Sequence, residues 1–351
     1  MELTELRREV TWLADLPAQT GQQVLADLDL AWQRCRAGLA GAPVLKRKRH
    51  PTGLRFPQGV EVRRLNRGWG AVKLPKLGEM RFRWTRELPG VVRHATVSGS
   101  GDRWHVSFCL EVRSVPAQPN GLPPVGVDRG VEVAFMTSDG QAFDREMWRP
   151  KEHERLVRLE RRRAAQQPGS NRYLRTTRQI AALHRRASDR RHDFAHKLST
   201  HLAKNHGLVA IEALVVANMT RSARGTIEKP GRNVAAKSGL NRAILNKGWG
   251  LVSGQLRYKC PWYGSVLVEV PAPDTSVTCP VCGIVDTASR PQRAVFLCAC
   301  CGHQDHADRN AAINIRERGV RLAPAGGQPV AGRKASKRLR TWRQPALGTV
   351  A

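Results

Sequence analysis

Val125-Gly126-Val127-Asp128 reads as a short buried strand that ends on a carboxylate. It follows a Pro-rich joint, Pro116 to Pro124, so it opens a new domain. Val133-Ala134-Phe135-Met136 is a second apolar run, closed by the turn signal Ser138-Asp139-Gly140, and predicts an antiparallel hairpin. Leu208-Val209-Ala210-Ile211 repeats the first pattern and also ends on an acid, Glu212. A last strand falls at Ser265–Val270. Between the strands the period changes. Residues 151–204 read as long helices, with Phe194, Leu198 and Leu202 forming one apolar stripe. A helix through Ile244, Trp249, Val252 and Leu256 follows a polar, Gly-rich stretch over 218–238 that reads as a mobile loop.

The acids at the strand ends carry the chemistry. A carboxylate at the mouth of an apolar strand is costly unless it is paired or holds a metal. Asp128 and Glu212 are two such groups. A third, Asp308, lies in His306-Ala307-Asp308-Arg309-Asn310, at the start of the helix Ala311-Ala312-Ile313-Asn314-Ile315. Gathered by a sheet, the three would make a hard-oxygen site suited to Mg2+ or Mn2+. Two such ions about 4 Å apart can drive phosphodiester cleavage. Taken singly, Asp128 could cap a turn, Glu212 could pair with an arginine, and Asp308 could N-cap its helix. Spacing alone does not bring the three together.

Five of the eight cysteines crowd into residues 279–301, while Cys35, Cys109 and Cys260 are scattered and read as small buried apolar groups. Cys279-Pro280-Val281-Cys282 and Cys298-Ala299-Cys300-Cys301 are separated by 15 residues. Each C-x2-C knuckle turns two thiolates toward one point, and two knuckles complete the tetrahedral four-sulfur shell that Zn2+ prefers. Gly283 and Gly302 stand just past the knuckles, where a tight turn needs positive φ. Cys300 is out of register, and His303 and His306 are spare once Cys279, Cys282, Cys298 and Cys301 have closed the site. Such a zinc is structural.

Lys and Arg number 59 against 29 Asp and Glu in 351 residues, a net charge of +30. Nucleic acid is the commonest partner of a chain this basic, because neutralising phosphates releases condensed counterions. A membrane surface is the rival, yet no apolar run approaches the roughly 18 residues needed to span a bilayer. Twelve arginines lie between Arg155 and Arg191. Before the joint, residues 1–40 read as helical, with Val24, Leu25, Leu28, Trp32 and Cys35 on one face. The basic run Lys46–Arg49 comes next, and residues 54–113 read as strands. Trp104, Val106, Phe108, Leu110 and Val112 alternate strictly after the turn signal Ser98–Asp102. The tail from about 321 has little to bury and is expected to be disordered and basic.

In this order, Val125–Asp128, Ile211-Glu212, the two knuckles, and then Asp308–Ile315, the chain resembles the TnpB proteins of insertion sequences, transposon relatives of compact type V CRISPR effectors. Lys237–Asn241, Gly248-Trp249-Gly250, Trp262-Tyr263-Gly264, Phe56-Pro57-Gln58 and Leu74–Gly78 extend the likeness, which covers roughly residues 20 to 320. The resemblance implies an α/β, RNase H-like (RuvC-type) nuclease core with an inserted zinc ribbon, preceded by a β-rich wedge domain with a helical insert. On that reading 1–120 is the wedge, 121–270 the nuclease core with its Arg-rich helices, 271–304 the ribbon, 305–320 the last nuclease motif and 321–351 the tail. Asp128, Glu212 and Asp308 match the three catalytic acids. Partners would be a guide RNA copied from the transposon end and a double-stranded DNA target, with base pairing reading sequence. Arg155, Arg158, Arg162, Arg175, Arg178 and Arg185 would face the heteroduplex; the plainer reading is a solvated helix face. The setting would be the prokaryotic cytoplasm, at the nucleoid, with no membrane association; the oligomeric state is not implied. Family members usually begin with an aromatic-rich strand and helix that this chain lacks, so it reads as N-terminally short.

Two other functions compete with an RNA-guided DNA endonuclease. One is a nucleic-acid-binding protein that no longer cleaves, against which the intact acids argue. The other is a transposase that joins strands by the same metal chemistry, although no separate site-specific DNA-binding domain is visible.

Overall fold

The computed structural model describes residues 3–45, 53–100, 103–112, 117–226, 228–323 and 348–350. The basic run Lys46–Arg49 and most of the tail lie outside the described residues. The chain divides into two compact units, Met1–Ser114 with Ser336–Ala351, and Val115–Ala335.

The first unit begins with helices α1 (Leu3–Glu9), α2 (Thr11–Asp15) and α3 (Ala18–Arg36). The apolar face expected on α3 is present, but Val24, Leu25, Leu28 and Trp32 stay exposed and Cys35 is half-buried. Six strands follow: β1 (Gly53–Phe56), β2 (Glu61–Arg64), β3 (Trp69–Leu74), β4 (Gly78–Arg83), β5 (Val91–Ser100) and β6 (Arg103–Glu111). They form two antiparallel sheets, with β5 between β1 and β6 in one and β3 between β2 and β4 in the other. Alternation decides what each strand buries. Val106 and Phe108 enter a core with Phe56, Val72, Leu74, Phe82, Ala95 and Val97, while Trp104 and Val112 remain exposed.

The second unit is built on β7 (Pro124–Asp128), β8 (Phe135–Thr137) and β9 (Ala142–Phe143). The hairpin strand sits slightly later than its apolar run suggested, because the pairing of Asp128 with Met136 sets the register. Helices α4 (Pro150–Ala164) and α5 (Asn171–Asn205) come next, then β10 (Leu208–Glu212), α6 (Val216–Met219), α7 (Val234–Lys247), α8 (Trp249–Trp262) and β11 (Val266–Val270). The stretch 218–238 is therefore not all loop: it holds the end of α6, a bridge between Gly225 and Pro230, and the start of α7. The single helix expected across Ile244–Leu256 is two, divided at Gly248. The cysteine region carries the short strands β12 (Val295–Leu297) and β13 (Gln304–His306), and α9 (Ala307–Leu322) closes the unit. From the tail, β14 (Gly348–Val350) pairs with β6, adding a strand where the composition suggested disorder.

The sheet order is β11-β10-β7-β8-β9, with β10 parallel to β7 and β11 and the remaining pairs antiparallel. Side chains alternate between its faces. Val125, Val127, Val209 and Ile211 point to one face, into a core with Phe194, Leu198 and Leu202 of α5 and Trp249, Val252 and Leu256 of α8. Burying each such side chain contributes about 1.5–3 kcal/mol. Gly126, Ala210, Asp128 and Glu212 point to the other face, where α9 lies. A Cβ at Gly126 would stand 2.0 Å from the Ala312 carbonyl oxygen, so glycine is what lets α9 lie on β7.

Candidate functional site

That parity fixes the acids. Val127 and Ile211 pair in register across the parallel strands β7 and β10. The next residue of each strand, Asp128 and Glu212, turns to the α9 face at the strands' carboxyl ends. α9 crosses the sheet with its first turn at the same end and brings in Asp308. The carbon a side chain would add at Gly130, two residues past Asp128, would lie 3.8 Å from Asp308 Oδ2. The three acids line one open cavity of about 320 Å3, with Arg129, Thr275, Arg290 and His306 among its other walls.

The electrostatics follow from crowding. Burial, and then the neighbouring carboxylates Glu212 and Asp308, push the Asp128 carboxyl up to about 7, against the partial relief given by the Arg129 backbone N–H and by Arg290. A carboxyl raised by burial and crowded by two others marks a place where a cation would be favourable. The donors are all carboxylate oxygens, the set that hard divalent ions select.

Several residues to which the sequence assigned no place in this cavity complete the walls, His306 among them, which it offered only as a spare zinc ligand. Arg129 is buried; its guanidinium donates to the Glu212 main-chain oxygen and to Ser253 Oγ at 3.0 Å, tying the strand end to α8. Thr275 Oγ1 donates to Glu212 Oε1 at 2.8 Å. His306 Nδ1 accepts from the Asp308 backbone N–H at 3.2 Å, so the cap of α9 is the histidine, while Asp308 keeps its carboxylate for the cavity. Arg290 stands 3.8 Å from Asp308 Oδ1. The charge and position of Arg129, directly after Asp128, were the one signal available in the sequence; the others depend on tertiary contacts.

The four cysteines of the two knuckles come together. Their sulfurs lie within 4.8 Å of one another, Cys279 and Cys282 facing Cys301 and Cys298 at 3.6 Å. Four thiolates about 2.3 Å from a tetrahedral metal would sit about 3.8 Å apart, so the cluster fits a metal ion closely. Gly283 and Gly302 have φ of 76° and 74°, the left-handed geometry their place after each knuckle demands. The backbone N–H of Cys301 donates to Cys298 Sγ and, with that of Cys300 and the neighbouring thiols, holds Cys298 down at about 6, favouring the thiolate. Cys300 is exposed and outside the cluster.

On α4 and α5, Leu156, Leu159, Ile180 and Leu183 form a small core between the helices. Arg155, Arg158, Arg162, Arg175 and Arg178 are thereby turned outward and exposed, whereas Arg185 is half-buried. Among the described residues no helix is long and apolar enough to cross a membrane.

Residues 107–223 match the OrfB_IS605 family, described as "Probable transposase", and residues 249–315 match "Cas12f1-like, TNB domain". The chain is 38% identical over 326 residues to "Putative RNA-guided DNA endonuclease InsQ" of Escherichia coli (strain K12), covering 93% of this chain and 80% of that one. A "Putative RNA-guided DNA endonuclease" of Streptomyces pristinaespiralis is 30% identical over 332 residues, covering 92% and 77%. Among solved structures, the one described as "Cryo-EM structure of the Cas12f1-sgRNA-target DNA complex" aligns with a TM-score of 0.50 at 15% identity, over 81% of this chain and 67% of that one. At that identity the likeness is one of fold.

Proposed function

Because the chain belongs to the OrfB (TnpB) family of insertion-sequence proteins, we propose that it is an RNA-guided, divalent-metal-dependent DNA endonuclease. The observation that carries the reading is the convergence of Asp128, Glu212 and Asp308 on one cavity. The mixed sheet with α9 across it supports an RNase H-like (RuvC-type) core over 121–270 and 305–320, with a wedge domain over 1–120. Its place of action would be the prokaryotic cytoplasm, on DNA.

Asp128, Glu212 and Asp308 would hold Mg2+ or Mn2+ through their carboxylate oxygens. When bound, the ions supply Lewis-acid stabilisation of the charge that builds on the phosphodiester oxygens. Arg290 presents a fixed cation to the incoming phosphate, and Arg129 holds the Glu212 strand end in place. The Cys279, Cys282, Cys298 and Cys301 cluster would hold Zn2+ as a structural ion, closed by four thiolates and therefore without an open position for chemistry. The exposed arginines of α4 and α5 would track the phosphates of the guide–target heteroduplex, leaving sequence to base pairing.

The test is to express the chain with its flanking genomic DNA, purify it, and sequence the RNA that stays bound. One discrete RNA that ends in sequence from beyond the element, and that directs cutting of a matching DNA, is the expected result. Random fragments or no RNA would overturn the guided reading.

A further inference from the structure

Glu212 is held at both ends. Its main-chain oxygen accepts from Arg129, and its carboxylate accepts from a hydroxyl that belongs to the root of the cysteine cluster. That hydroxyl, Thr275 Oγ1, is buried and reaches Glu212 Oε1 at 2.8 Å; the Ala272 carbonyl at 3.1 Å is the weaker arm of a shared bond, since a charged acceptor attracts the proton more strongly.

Thr275 is not free to drift. Its carbonyl accepts from Asn314 Nδ2 at 2.9 Å, and the same amide donates to the Thr278 carbonyl at 2.7 Å. Asn310 Nδ2, one turn earlier on α9, also donates to Thr278 at 3.0 Å. Both asparagines are buried on the helix whose first turn carries Asp308. Directly after Thr278 comes Cys279, itself buried in the cluster. One five-residue segment thus links the carboxylate of Glu212, the helix of Asp308 and the first thiolate.

We propose that Thr275 is a positioning residue that fixes the rotamer of Glu212 for divalent-metal binding, and that Asn310 and Asn314 hold Thr275 in register for that purpose. The inference rests on the reading of the three acids as a metal site. A lone carboxylate beside two others would swing away to relieve repulsion; a buried hydroxyl donor offsets that tendency and holds one oxygen against the cavity wall, leaving the other for a metal. Partners of this kind orient metal ligands in general, and their loss typically costs about 10–100-fold in metal affinity.

The experiment measures Mn2+ binding to the full chain by electron paramagnetic resonance, for the parent, Thr275→Val, Thr275→Ser and Glu212→Gln, with zinc content and melting temperature recorded for each. Thr275→Val keeps the shape and removes the donor. It should weaken Mn2+ binding about 10-fold and alter the bound spectrum, with zinc content unchanged. Thr275→Ser restores the hydroxyl and should bind like the parent. If Thr275→Val does not fold, Thr275→Ala removes the same donor from a smaller side chain and is read in its place. Parent-like affinity and spectrum in the donor-less variant, with binding lost in Glu212→Gln, would overturn the positioning role and leave the metal site standing. No Mn2+ bound by the parent would instead overturn the reading of the acids, and this proposal with it.

Discussion

The guanidinium of Arg290 stands 3.8 Å from the carboxylate of Asp308, though one comes from the loop between the two cysteine pairs and the other from the first turn of α9. Arg290 is held from behind, its Nε and Nη2 both donating to the Arg293 carbonyl. A cation fixed beside three carboxylates lowers the proton affinity of Asp128. On the proposed function it would also offer the incoming phosphate a charge whose position needs no rearrangement. The cysteine loop therefore does more than brace the fold: it supplies one wall of the cavity.

Arg290→Ala should accordingly slow cleavage by about 100-fold, the scale seen when one preorganised donor is removed from an active site. Divalent-ion affinity should hold or rise, because a like charge has gone. Arg290→Lys should recover only part of the rate, since an ammonium lacks the planar fork that fits a phosphate. Single-turnover cutting alongside Mn2+ binding separates the two effects. A variant that cuts at the parental rate would remove Arg290 from the site.

Asp128 gives a prediction in stability as well as activity. Its folded carboxyl titrates at about 7, above its ordinary value of 3.8, so the folded state holds a proton that the unfolded state has released. Without metal, stability should fall as pH rises from about 4 through 7, with a ceiling of about 4 kcal/mol for the whole window. Asp128→Asn should abolish cutting, leave RNA binding near the parental level, and melt higher than the metal-free parent at pH 8. Added Mg2+ should stabilise the parent and not the variant. Melting curves across pH decide it; equal melting of the two metal-free proteins at pH 8 would contradict the buried, crowded carboxyl.

The strand ends were legible because periodicity and chemistry agreed there: an apolar run that stops on an acid has few inexpensive explanations. The cysteine cluster was legible for a similar reason, its spacing having one good geometric solution. Thr275, Arg290 and His306 were not. Each acts through a contact between segments far apart in sequence, and the residue type alone carries no such information. Gly126 lies between the two cases. The sequence places it in the strand, and only the approach of α9 explains why no side chain fits there. The apolar face of α3 reads as a core stripe, yet it stays exposed, because periodicity reports which residues share a face and not what covers them.

The cysteines divide into four that should matter and one that should not. Cys279→Ser should drop zinc content well below one per chain and loosen the segment that leads to Thr275, so cutting should fall together with zinc. Cys300→Ser should leave both unchanged, since its thiol lies outside the cluster. Elemental analysis with a melting curve for each variant checks the pair. Full zinc in Cys279→Ser would exclude that sulfur as a ligand.

The arginine helices separate from the cavity in the same kind of experiment. Arg155, Arg158 and Arg162 are exposed on α4, turned away from the core that Leu156 and Leu159 share with α5. Replacing all three with alanine should leave folding intact, because they bury nothing between the helices. If each neutralises one phosphate, the dependence of heteroduplex affinity on salt should flatten by about one unit of slope per arginine. Cleavage at saturating nucleic acid should stay close to the parental rate, since the acids and Arg290 are untouched. Titrations at several salt concentrations measure the slope directly. An unchanged slope would make these arginines a solvated face, and would assign the heteroduplex to another part of the surface.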